Sequence, residues 1–242
     1  MTRVGVFGSR GRMGAEVCRA VERSPDLELV AAIDLGDDRT PAEAAQVIVD
    51  FTHPDAVMDN LSWCVDHGVH AVVGTTGFTE ERLDQLRAML ADHDGVGVLV
   101  APNFSVGAVL MMHFAEQAAA FYESAEIIEL HHDQKIDAPS GTAVRTAQRI
   151  AAASKDWGDD PTTEFVAEGA RGGLVEGVPV HALRVRGMVA SQEVLLGTTG
   201  QTLSIRHDTY DRSSFMPGVL LAVHKVAEIP GLTIGLDALL GL

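Results

Sequence analysis

Cysteine, aromatic residues and positive charge are all scarce in this chain of 242 residues. Two cysteines, Cys18 and Cys64, are too few for a disulfide framework, and both fall in helical patterns, as buried thiols of a reducing compartment do. Lys and Arg number 18 against 34 Asp and Glu, a net charge of −16, which argues against general binding to nucleic acid or to anionic membranes. Long apolar runs are missing too. The most apolar helical stretch, VGAVLMMHFAEQAAAFY, is interrupted by His113, Glu116 and Gln117, so no membrane span is expected. The N-terminal MTRVGVFGS enters a strand pattern without the apolar segment and cleavage site of a signal peptide, and a cytoplasmic location is expected. What remains is a globular composition, 46% hydrophobic, 21% charged and 5% aromatic. A chain of this length buries a core without covalent staples, as one large domain or two modest ones.

Short apolar runs alternate with helical patterns through the first hundred residues. RVGVF (3–7), LELVAAI (27–33), VIVDFT (47–52), HAVVGTT (70–76) and GVGVLVAPN (95–103) read as strands. Met13–Arg23, Pro54–His67 and Thr79–Asp92 show helical spacing between them. Continuous apolar strands separated by helices predict an α/β fold, a parallel sheet covered on both faces. After Asn103 the texture changes. A helix over Val106–Tyr122 leads to the strand AEIIELHH, and a second helix runs from Ser140 to about Lys155. Trp157–Gly177 reads as a loop; VPVHALRVRG, ASQEVLLGTTG and QTLSIRHDT follow as antiparallel strands, and SFMPGVLLAVHKVAEIPG as a final helix with Pro217 near its first turn.

The loop GSRGRMG sets Gly8, Gly11 and Gly14 between the first strand and the first helix. Glycine has no Cβ to hold a phosphate off the backbone, and a helix N-terminus offers unpaired N–H groups and a partial positive charge. Asp34, about twenty positions beyond Gly14 and at the end of the second strand, is placed to accept both hydroxyls of an adenosine ribose. That favours NAD, whereas Arg10 and Arg12 inside the loop suit a 2′-phosphate. A tight turn without ligand is the bland alternative. Gly74-Thr75-Thr76-Gly77 and Ala101-Pro102-Asn103-Phe104 place small and amide residues at two later strand ends, where such sheets bind ligands; ordinary turn chemistry explains them equally well.

The densest chemistry lies in ELHHDQKIDAPSGTA, from Glu129 to Ala143. His131 and His132 change charge near neutral pH, and Lys135 holds an anion or donates a proton. Ser140 reads as a helix N-cap, with Gly141 and Thr142 in a first turn whose amides suit a carboxylate. Together they predict a site for a dianionic small molecule that is protonated there. The alternative is a strand ending in two histidines beside a plain cap and a surface lysine. The histidines, with His113, His181 or His207 elsewhere, give no recognised metal-ligand spacing, so no metal is expected. No G-x-S-x-G nucleophile motif occurs. Asp208 and Asp211, with Arg206 and Arg212, read as a charged turn.

GSRGRMG, VIVDFT, GTTGF, APNFSVGAV, ELHHDQKIDAPSGTA and DRSSFMPGVLLAV occur in the order of the 4-hydroxy-tetrahydrodipicolinate reductases of diaminopimelate–lysine biosynthesis, which this chain resembles over nearly its whole length. The resemblance implies a Rossmann-like parallel-sheet nucleotide domain over 1–103 plus 213–242. It implies a second, mixed-sheet α+β domain over 104–212 that binds substrate and builds a homotetramer. It implies that Gly8, Ser9, Arg10, Gly11, Arg12 and Met13 hold the pyrophosphate, Asp34 the ribose, and Gly74, Thr75, Thr76, Ala101, Pro102, Asn103 and Phe104 the nicotinamide side. His131 would then donate the proton with Lys135 as a second donor, and His132, Gly141 and Thr142 would hold the carboxylates of a cyclic substrate. Leu35 stands where NADPH-preferring relatives place an arginine, so NADH is expected to serve at least as well as NADPH. Rival readings are another two-domain nicotinamide enzyme, such as an L-aspartate dehydrogenase, and a nucleotide sensor without catalysis.

Overall fold

The computed structural model describes every residue except Lys155, Asp156 and Asp159. The chain divides into two compact units, one of residues 1–106 and 212–242, the other of residues 107–211. The elements of the first half are β1 (Thr2–Phe7), α1 (Arg12–Arg23), β2 (Leu27–Ile33), β3 (Val47–Asp50), α2 (Val57–Asp66), β4 (His70–Val73), α3 (Glu80–Leu90) and β5 (Gly97–Val100). They continue as α4 (Val106–Ala119), β6 (Ser124–His131), α5 (Gly141–Ala153), β7 (Gly173–Val175), β8 (Val178–Arg184), β9 (Ala190–Thr198) and β10 (Gln201–Thr209). The chain ends with α6 (Met216–Lys225), β11 (Gly231–Ile234) and α7 (Asp237–Leu240).

In the first unit six strands lie in the order β11-β5-β4-β3-β1-β2, every pairing parallel. The runs VIVD of β3 and GVLV of β5 are buried at every position, as strands covered on both faces must be. Leu61, Cys64 and Val65 of α2 and Leu86 and Leu90 of α3 join the same aliphatic core. The chain runs from β1 to β2 on one side, then returns to β3 on the other, so the order reverses beside β1. Ligands bind such sheets at that reversal, beyond the carboxyl ends of the strands.

The second unit has a mixed sheet in the order β10-β9-β6-β8-β7. The mixed sheet is as expected, and β8, β9 and β10 alternate in direction: β9 is antiparallel to β6 and to β10, while β8 does not neighbour β9 but runs parallel to β6. Along β6 the buried parity is Ala125, Ile127, Glu129. Its apolar members pack with Ala143, Ala147 and Ile150 of α5 and with Val180, Val194 and Leu196 of the neighbouring strands.

Several boundaries differ from expectation, each for a local reason. The strands after β2 stop earlier than the apolar runs suggest, because Phe51-Thr52, Gly74-Thr75-Thr76 and Ala101-Pro102-Asn103 turn out of the sheet as loops. Helix α4 ends at Ala119, three residues short, where the amides of Phe121 and Tyr122 close back as turns on Ala118 and Ala119. Within the expected loop 157–177, Gly173–Val175 pairs with β8 as β7. The expected end of α5 at Lys155 falls outside the described residues. Strand β11 extends the first sheet beside β5 and was not anticipated. Among the described residues no helix is long and apolar enough to cross a membrane.

Candidate active site

The β1–α1 turn is shaped by glycine. Gly8 has φ +77°, and a Cβ there would run into the Phe51 carbonyl, which glycine alone avoids. Gly14 lies so close to the Gly8 carbonyl that a side chain would overlap it, and α1 therefore starts directly against the turn. The amides of Gly8 and Ser9 donate to the Ile33 carbonyl at 2.8 and 3.1 Å, and that of Gly11 to the Gly8 carbonyl at 3.0 Å. Arg12 and Met13 open the helix after Gly11, an N-cap without a side chain, where helix geometry leaves N–H groups unpaired.

Asp34 follows β2. Its Oδ2 accepts from the Arg10 amide and its Oδ1 from the Leu35 amide, both at 2.8 Å. Asp37, which sequence reasoning missed, faces the same turn: its Oδ2 accepts from the Asp34 amide at 2.8 Å and its Oδ1 from Arg10 Nη2 at 3.1 Å. The Asp34 amide first, and then the Arg10 guanidinium, hold the Asp37 carboxyl below its usual range. Gly8, Gly11 and Asp34 line a cleft of about 460 Å³ together with Leu35, Asp37 and Arg39.

The floor of this region is organised by a second missed acid. Asp50, the last residue of β3, is 1% exposed. Its Oδ1 accepts from the Thr52 amide at 3.0 Å and from the hydroxyls of Thr52 and Thr75 at 2.8 and 2.5 Å; its Oδ2 accepts from Asn60 Nδ2 at 2.7 Å. Asn60 Oδ1 in turn accepts from Arg39 Nη2 at 2.8 Å. Thr75 is thus a buried strut rather than an open hydroxyl, while Thr76 is exposed. Gly74 leaves room for the Phe51 ring, which a Cβ would overlap, and the Phe51 and Phe104 centroids lie 5.7 Å apart. The Ala101 amide donates to the Val73 carbonyl at 3.0 Å, Pro102 is exposed, and Asn103 Oδ1 accepts from the Ser105 amide at 2.8 Å.

In the second unit the loop between β6 and α5 gathers the remaining predicted residues. His131 is half-buried, and its Nδ1 lies 2.5 Å from Glu129 Oε2. Lys135 Nζ donates to both oxygens of Asp137 at 2.7 Å, and the Lys135 amide closes a turn on the His132 carbonyl at 3.2 Å. The Ser140 hydroxyl caps α5 by accepting from the Ala143 amide at 3.2 Å. Gly141 follows with open space around it: a Cβ would meet nothing within 4 Å. The Thr142 carbonyl accepts from the Thr146 hydroxyl at 2.7 Å. Sequence reasoning missed Glu129 and Arg184, which hold this loop. The available signal was a charge at the buried parity of β6, where Ala125 and Ile127 set the pattern.

A doubly wound parallel sheet with a glycine turn and an acid after β2, in a chain that also carries a mixed sheet ending in a carboxylate-bonded imidazole, defines a two-unit oxidoreductase of the Rossmann type. Family models described as "Dihydrodipicolinate reductase, N-terminus" and "Dihydrodipicolinate reductase, C-terminus" match residues 2–104 and 107–240. The 4-hydroxy-tetrahydrodipicolinate reductase of Cutibacterium acnes is 62% identical and that of Thermobifida fusca 62%, each covering 100% of both chains. A solved dihydrodipicolinate reductase from a Paenisporosarcina species, with dipicolinate bound, is 40% identical with a TM-score of 0.87, over 98% of this chain and 99% of its own. The chain belongs to the dihydrodipicolinate reductase family. Identity over the full length decides against the aspartate-dehydrogenase reading.

Proposed function

We propose that this reductase converts 4-hydroxy-tetrahydrodipicolinate, through its dehydrated ring, to tetrahydrodipicolinate in diaminopimelate–lysine biosynthesis, using NADH at least as readily as NADPH. The observation that carries the reading is the end of β6 and the loop that joins it to α5: this one segment holds a half-buried imidazole bonded to a carboxylate, an ammonium group, and a capped helix start open at Gly141. A reduced pyridine nucleotide supplies hydride. Hydride arrival makes the substrate ring electron-rich, and His131, with Lys135 as second donor, supplies the compensating proton. His132, Gly141 and Thr142 receive the carboxylates, with donors fixed in advance at the α5 N-terminus. Lys135 is paired with Asp137, so an anionic substrate competes with that carboxylate for the ammonium.

The residues of the first unit suit a dinucleotide. The Gly8 turn admits a phosphate close to the backbone, Arg12 and Met13 present first-turn amides, and Asp34 stands at the cleft for the ribose hydroxyls. Gly74 to Thr76 and Ala101 to Phe104 frame the nicotinamide side. Two carboxylates around Arg10 support the expectation for NADH. The substrate is recognised in the second unit, which also builds a homotetramer of a cytoplasmic enzyme; sedimentation of the purified chain checks the assembly.

His131→Gln and Lys135→Ala are each expected to lower kcat by about 10²- to 10⁴-fold while leaving NADH affinity unchanged. Unchanged turnover in both variants removes the assigned roles. Steady-state kinetics with the two nucleotides test the cofactor reading, which a hundredfold preference for NADPH contradicts.

A further inference from the structure

Glu129 is fully buried, and its neighbours on the same face of β6 are Ala125 and Ile127. A carboxylate at such a position persists only when its oxygens are hydrogen bonded. Oε2 is bonded to His131 Nδ1 at 2.5 Å and accepts from Arg184 Nη1 at 3.0 Å; Oε1 accepts from Arg184 Nη2 at 3.0 Å and from the Ser140 amide at 3.1 Å. Arg184 Nη2 also donates to the Asp137 carbonyl at 2.6 Å, which ties in the segment that carries Lys135. The Val185 amide, next along the chain, donates to the His131 carbonyl at 2.9 Å. Burial raises the Glu129 carboxyl, but hydrogen bonds and charge from His131 and Arg184 outweigh it, and the group lies below its usual 4.5. A buried ion pair is rarely more stabilising than a well-packed apolar pair of the same shape. Stability therefore does not account for a carboxylate and a guanidinium on the apolar face beside the histidine.

We propose that Glu129 is a positioning residue for the reduction: its carboxylate takes Nδ1 of His131, which leaves Nε2 to deliver the proton, and takes the Ser140 amide, which fixes the start of α5 to the same anchor. The inference rests on the reading of His131 as proton donor. The donor is the doubly protonated ring. When its Nε2 gives up the proton, the N–H bonding pair stays on the now neutral imidazole, and Nδ1 keeps its proton, bonded to Glu129. The new bond forms at the substrate atom that hydride transfer made electron-rich. Solvent then reprotonates the ring. Arg184 keeps the carboxylate ionised in its buried place and links it to the loop.

Nitrogen-15 NMR of the imidazoles in the unliganded full chain tests this directly, with the His131 pair assigned by its loss in His131→Gln. At a pH where the ring is neutral, His131 should carry its proton on Nδ1 and show a bare Nε2. Glu129→Gln should lose that fixed tautomer and lower kcat by about 10²-fold, with KM for NADH unchanged. In a His131→Gln background the same substitution should change kcat by less than about twofold, because it acts through the ring. Should Glu129→Gln fail to fold, the paired Glu129→Gln/Arg184→Met chain removes both charges together, and the wild-type tautomer needs no variant. An Nε2-protonated tautomer in the wild type, or an equal kcat loss in both backgrounds, overturns the inference and leaves the proton-donor reading standing. Wild-type turnover in His131→Gln overturns both.

Discussion

Among the described residues each unit carries one buried carboxylate, Asp50 at the end of β3 and Glu129 near the end of β6, yet the two are held in different ways. Asp50 takes every one of its described hydrogen bonds from neutral groups: an amide and a hydroxyl of Thr52, the hydroxyl of Thr75 and the side-chain amide of Asn60. Glu129 takes its bonds from a guanidinium, an imidazole and one backbone amide. Neutral dipoles around an anion make a fixed strut, indifferent to the protons of its partners. An imidazole among the partners couples the strut to a proton. The contrast matches the work proposed for each unit, since a dinucleotide needs a shaped cleft and a reduction needs an acid held in one orientation.

The contrast is sharpest when each carboxylate is removed. Glu129→Met leaves Arg184, whose side chain is only 20% exposed, without its counter-ion, and a loss of up to about 3–5 kcal/mol is expected. Asp50→Asn keeps the shape and turns one acceptor into a donor facing Thr52, Thr75 or Asn60, with an expected loss of about 1–3 kcal/mol. The two tryptophans separate the effects, because Trp63 lies in α2 of the first unit and Trp157 in the second. With Trp157→Phe or Trp63→Phe as background, denaturant unfolding by fluorescence follows one unit at a time. A smaller loss for Glu129→Met than for Asp50→Asn breaks the comparison.

Acid is a milder probe of the same difference. The folded Glu129 carboxyl lies below 4.5, so its contribution to stability is complete above the unfolded value and is lost as pH falls through the folded one. The Trp157-reported stability should therefore decline as pH drops below about 4.5. Arg184→Met removes a cationic partner and should shrink that decline. An undiminished decline in the variant assigns it to other carboxyls.

The parts of the fold that read directly from the sequence are those set by local pattern. LELVAAI is a strand at the very residues its aliphatic run marks, and Ser140 caps α5 as its residue type and place before Gly141 suggest. Strand β11 escaped because GLTI is short and only partly buried, and it follows Pro230, so no periodicity marks it. The parallel pairing of β8 with β6 is a tertiary choice that alternation does not encode. Within the site, Gly8, Gly11 and Asp34 are legible because a glycine turn and an acid at fixed spacing are chain-local, and they come to one cleft. Glu129 and Arg184 are 55 residues apart, and only folding reveals that one neutralises the other. Asp50 was visible as part of VIVDFT but without a role, since besides Thr52 its partners come from α2 and the loop after β4.

The smallest effect expected concerns the nucleotide. Arg10 is one of the two cations in the turn that suit a 2′-phosphate, and its Nη2 lies 3.1 Å from Asp37 while its Nε lies 3.9 Å from Asp34. Its side chain is 64% exposed, so water screens both pairs and neither is strong. Asp37→Asn leaves the guanidinium with a single carboxylate, and the ratio of kcat/KM for NADPH to that for NADH should rise by about two- to fivefold, the scale of one exposed ion pair. Arg10→Ala should lower the same ratio and leave kcat/KM for NADH within about twofold, because a ribose hydroxyl offers no charge for Arg10 to meet. Salt distinguishes this from a rearranged turn: the gain in Asp37→Asn should fade as ionic strength rises toward 1 M, where the screening length is about 3 Å. A ratio that does not move in Asp37→Asn shows that the second acid leaves the choice of nucleotide untouched, and the proposed use of NADH then rests on Asp34 and Leu35 alone.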